Sequence, residues 1–76
     1  MSKTNKSAMV QVSITTFDRG DETIVVRAFP DRIEIKEHGK RAELIELEAA
    51  VKRMAEMELG GWGVTRQVKM MPAWAM

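Results

Sequence analysis

Residues 40–59 read KRAELIELEAAVKRMAEMEL. Within them Leu44, Leu47, Val51, Met54 and Met57 or Glu58 recur three or four apart, the spacing that lines up one face of an α-helix. Ala49, Ala50 and Ala55 are strong helix formers, and no glycine or proline interrupts the run. Glu43, Glu46 and Glu48 crowd the first half, where the helix dipole favours negative charge. Glu48 and Lys52 form an i, i+4 pair in the favourable order. No Ser, Thr, Asp or Asn stands at positions 38–41 to cap the start, so the N-terminus is fixed only to within a few residues. Gly60-Gly61 is the stop signal. The pattern predicts a helix over 40–59 with Leu44, Leu47, Val51, Met54 and Leu59 turned to the core.

Upstream of it the period is two. Val10, Val12, Ile14 and Thr16 alternate with Gln11, Ser13, Thr15 and Phe17, a half-buried strand. Asp18-Arg19-Gly20-Asp21 reads as a hairpin loop with Gly20 left-handed. Its Arg-Gly-Asp tripeptide is what such a loop needs. A second strand over 22–29 puts Ile24, Val26 and Ala28 on one face. Pro30-Asp31 makes a second turn. A third strand over 32–37 directs Ile33 and Ile35 inward. Downstream, Val64 to Met70 fits a fourth strand, closed by Pro72. The expected fold is α+β in two layers, β-β-β-α-β: a three-stranded antiparallel meander, one long helix on one face, and a fourth strand parallel to the first and third at a sheet edge. The expected core face is Val10, Val12, Ile14, Ile24, Val26, Ala28, Ile33, Ile35, Val64 and Val68. Residues 1–8 read as a flexible arm, 9–71 as the domain and 72–76 as an apolar tail.

The chain has 76 residues, so the core must be thin. It carries 12 basic and 11 acidic residues, a net charge of +1, which selects no polyanionic partner. It has no cysteine, which excludes disulfides, thiolate nucleophiles and Cys-based zinc sites. No run approaches the roughly 20 apolar residues of a membrane span. No apolar region follows Lys3 and Lys6, so the start is not a secretory signal and a cytoplasmic location is expected.

The sequence offers no convergent catalytic group. The one histidine, His38, sits in a turn beside Gly39. Asp18, Asp21 and Glu22 lack the spacing of a calcium loop. Gly60-Gly61-Trp62-Gly63 follows a helix instead of opening one, so it presents no helix N-terminus to a phosphate. The expectation is a protein that is not an enzyme, with no metal and no cofactor.

Two surfaces are left. Trp62, Met70, Met71, Trp74 and Met76 crowd large apolar side chains into the last fifteen residues. Met adapts to irregular partners and Trp is enriched at binding hot spots. These five are the candidate partner-binding residues, with Trp62 alternatively closing the core. The alternative is a nucleic-acid platform on the open sheet face, using Arg27, Arg32 and Lys36 with Arg66 and Lys69. The thin core and unpaired strand edges also favour self-association, a homodimer being the commonest form.

In length and layout the chain resembles small phage-encoded inhibitors of host systems, some anti-CRISPR proteins among them. That likeness implies an inhibitor acting by occlusion of a larger partner. A three-stranded sheet with a helix is also similar to small integrase and plant-type DNA-binding domains, which read the major groove with the sheet. The leading expectation is a non-catalytic protein-binding module, inhibitor or adaptor; the alternative is a nucleic-acid-binding domain.

Overall fold

The computed structural model describes residues 9–75; the expected arm over 1–8 lies outside them. The elements are β1 (Met9–Arg19), β2 (Glu22–Ala28), β3 (Ile33–Glu37), β4 (Glu43–Leu44), α1 (Leu47–Leu59), β5 (Gly63–Pro72) and a short 3-10 turn, Ala73–Ala75. The strands form one five-stranded sheet in the order β4-β3-β2-β1-β5, and all its pairings are antiparallel. The α+β class and the meander of β1 to β3 stand as the sequence indicates.

The turns explain the meander. Gly20 and Asp21 form a two-residue loop that sets Arg19 opposite Glu22. Gly20 has φ +59°, the positive first position of a type II′ turn, which suits the twist of the flanking strands. Across Pro30-Asp31, the Phe29 N–H donates to the Arg32 carbonyl at 2.8 Å.

Three expectations are corrected. The first concerns the helix. Residues 40–46 are not helical: Glu43 and Leu44 pair back along β3, and the Ile45 N–H donates to the Ile33 carbonyl at 3.0 Å. The helix begins only at Leu47. That extra reversal delivers it to the opposite end of the sheet, and this is why β5 runs antiparallel to β1 and not parallel to it.

The second is the phase of β1. With Arg19 opposite Glu22, Phe17 stands beside Ile24 and Thr15 beside Val26. Opposed residues in a sheet share a face. The core face of β1 is therefore Thr15 and Phe17, both buried. Val10, Val12 and Ile14 lie on the other side, where Val12 is nevertheless fully buried, as expected of a core residue, and Val10 and Ile14 are half-buried.

The third is the phase of α1. Ala50 and Met57 are its buried residues, with Met54 packed beside them. Leu44, Leu47, Val51 and Leu59 are exposed. The core cluster between helix and sheet is Phe17, Ile24, Val26, Ile35 and Met57, flanked by Ile33, Ile45, Met54, Trp62 and Val64, with Ala50 and, on the opposite face, Val12 also buried.

Candidate functional site

The end of α1 positions the first candidate residue. The Gly61 N–H donates to Glu58 O at 3.3 Å and the Trp62 N–H to Met57 O at 3.2 Å. With Gly61 at φ +84°, this is a Schellman termination, and it satisfies carbonyls the helix leaves without partners. It also turns Trp62 back against the core, half-buried, with the Arg19 guanidinium stacked 4.4 Å from its ring centroid. Trp62 therefore closes the core.

The rest of the Met/Trp group lies elsewhere. Met70 is 57% exposed and Trp74 is 74% exposed; Met71 is half-buried; Met76 lies outside the described residues. Register explains Met70 and Met71. Among the described residues, positions 9–12 of β1 pair only with β5, as a two-stranded ribbon running past the end of β2. On the helix-side face stand Met9 and Met70 of this ribbon and Val68 just before it, with Gln11 opposite Met70 and Ser13 opposite Val68. Met71 takes the other face, opposite Val10.

Two ion pairs fix how α1 sits over this face. Arg53 reaches Glu37 of β3 at 3.3 Å, and Glu58 receives Arg66 of β5 at 3.5 Å. One helix flank therefore faces β3 and the other faces β5. Leu47 and Val51 precede Glu58 by about three and two whole turns, so they share the flank toward β5. Both are exposed, Leu47 at 65% and Val51 at 54%. On the helix side of the sheet Leu47 and Val51 of the helix and Val68, Met70 and Met9 of the strands are therefore exposed apolar side chains, and Trp74 is exposed just past the ribbon's end. The helical spacing of Leu47 and Val51 is plain in the sequence, but only the register and the ion pairs assign it to this surface.

The cationic candidates are divided. Arg27, Lys36 and Lys69 lie on the face away from the helix, by strand alternation. Arg66 lies on the helix side, paired with Glu58. Arg32 is engaged by Glu34 at 3.0 Å and Asp31 at 3.1 Å and stacks 4.1 Å from the Phe29 ring centroid. Its hydrogen bond to Glu34 raises its pKa above the usual guanidinium range, burial opposing and Asp31 adding to the rise. Arg32 also lines a shallow cleft with Asp31, Ile33, Leu44, Ile45 and Glu46. The face away from the helix is largely apolar: Val10, the buried Val12, Ile14, Val25 and Met71 share it with the three cations.

His38 is exposed in the turn after β3, with Gly39 at φ +76° supplying the reversal. Among the described residues no three His, Asp or Glu side chains are grouped to hold a metal ion, and no helix is long and apolar enough to cross a membrane. Comparison with protein families, with curated proteins and with solved structures found no match.

Proposed function

We propose that this protein is a small non-catalytic protein-binding module, an inhibitor or adaptor that occludes a surface of a larger partner. The contact surface is built on Met70 and Trp74 at the ribbon end, with Val68, Met9 and the helix flank of Leu47 and Val51; Met71, half-buried on the opposite face, is not part of it. One observation carries this reading. Met9, Leu47, Val51, Val68, Met70 and Trp74, large apolar side chains of core-forming chemistry, are all exposed, while a separate core centred on Phe17 is already closed by Trp62. Contiguous exposed apolar patches mark interaction surfaces far more often than isolated exposed residues do. Met and Trp suit that role, the first by adapting its shape and the second by filling a pocket on the partner.

The test compares two variants. The chain has no cysteine, so a single cysteine at Asp21, on the hairpin remote from the ribbon end, gives one-point immobilisation. Capture from a host lysate should survive neutralisation of the open-face cations (Arg27→Gln, Lys36→Gln, Lys69→Gln). It should be lost in the Met70→Ser, Trp74→Ala variant, with urea unfolding unchanged. The reverse pattern, with steep salt sensitivity, replaces this reading by the nucleic-acid one.

A further inference from the structure

The two edges of the sheet are treated differently. On one side β4 is two residues long, the usual way a sheet blunts an edge. On the other, β5 runs for ten residues. It is paired with β1 in unbroken register from Gly63 to Pro72, without a bulge, and its only proline is the last residue. Among the described residues no strand pairs with its outer side. An extended edge of this kind is a template for another strand.

We infer that the occupant is a second copy of this chain, joined β5 to β5 about a twofold axis perpendicular to the sheet and centred on Val68. The symmetry narrows the register. A perpendicular twofold keeps each face on its own side, so paired positions share parity and the axis passes midway between one residue and its own copy. Centring on Arg66 or Lys69 sets a cation against its own copy, which is unfavourable. Centring on Gln67 sets Val68 against Arg66 of the second copy. Centring on Val68, 62% exposed in the monomer, sets it against its apolar twin. Arg66 then lies beside Met70 of the second copy and Lys69 beside Gln67, so no like charges are opposed. A net charge of +1 per chain adds little repulsion. The blunt β4 edges end growth at a closed, ten-stranded dimer, so the long edge does not lead to fibres.

This inference goes beyond the proposed partner surface and is tested without any partner. Sedimentation over a hundredfold concentration range should show a species of twice 8.6 kDa. Val68→Glu, which opposes two carboxylates on the axis, should weaken it by roughly tenfold or more. Single cysteines report the register. Under mild oxidation Val68→Cys should form a disulfide-linked dimer. Thr65→Cys should not, because its twin would sit six positions along the strand, about 20 Å away. Both sites are exposed, and both variants should fold. A strictly 8.6 kDa species at high micromolar concentration overturns the inference. So does cross-linking of Thr65→Cys as readily as Val68→Cys. Neither result bears on whether the Met/Trp surface binds another protein.

Discussion

Trp62 and Met57 meet twice. The Trp62 N–H donates to the Met57 carbonyl oxygen at 3.2 Å, and both side chains belong to the core that the helix closes. Main chain and side chain thus fix the same reversal, the hydrophobic contact that often accompanies a Schellman end. The two tryptophans of this chain should consequently behave in opposite ways. Trp62→Ala removes a half-buried aromatic and should cost about 2–3 kcal/mol, somewhat below the range for a fully buried one. Trp74→Ala, at an exposed site, should stay within about 0.5 kcal/mol. Urea unfolding of the two variants measures both, and equal losses would place Trp74 in the core and remove it from the partner surface.

The glycines around that reversal give a second contrast. Gly61 has φ +84°, where a Cβ is strained whatever the space, so Gly61→Ala should destabilise by about 1–2 kcal/mol. At Gly63 an added Cβ would sit 3.6 Å from the Asp18 carbonyl oxygen, an ordinary contact. Gly63→Ala should be near neutral. Thermal unfolding separates the two, and a neutral Gly61→Ala would mean that the helix ends in another way.

The helix phase is open to a similar check. Ala50→Asp would bury an unpaired carboxylate against the sheet and should abolish cooperative unfolding or cost several kcal/mol. Val51→Asp, one residue along on the exposed flank, should cost less than about 1 kcal/mol, chiefly through the modest difference in helix propensity. The opposite ranking would restore the phase expected from residue spacing.

The Arg53–Glu37 pair links the other flank to β3 at 3.3 Å, with both side chains partly exposed. A double-mutant cycle with Arg53→Ala and Glu37→Ala should return a coupling of about 0.2–1 kcal/mol, falling as salt is added. A coupling near zero at low salt would leave the helix positioned by Ala50 and Met57 alone.

These contrasts show which parts of the fold are legible in residue order. The loops were readable because Gly20 and Pro30 each have one conformational job, and so was the stop at Gly60-Gly61. The phase of β1 was not, because β-branched residues at Val10, Val12 and Ile14 outweigh Thr15 and Phe17 when alternation is counted along one strand. The deciding signal lay across the hairpin. A two-residue loop at Gly20-Asp21 brings Phe17 to Ile24, and the core face of β2 then dictates that of β1. The start of the helix was hidden for a related reason. Leu44 continues the spacing of Leu47 and Val51, yet Glu43 and Leu44 find backbone partners on β3. Local periodicity cannot report a pairing that depends on where β3 lies. The exposed surface was half visible: Met70 and Trp74 stand out in composition, whereas Met9 and Val68 share the face of Met70 only through the pairing of two distant strands.

That pairing sets Met9 directly across from Pro72, so the described chain enters and leaves the domain side by side. The β1–β5 pairing carries more of the long-range contacts of the fold than any other pair of elements. A circular permutant that joins Pro72 to Met9 through a few glycines and opens the chain at Gly20-Asp21 would turn that pairing into a local hairpin. By lowering the mean sequence separation of contacts, the rearrangement should speed folding with little change in the native state. The loss would fall on β1 and β2, which would then have to find each other across the length of the chain.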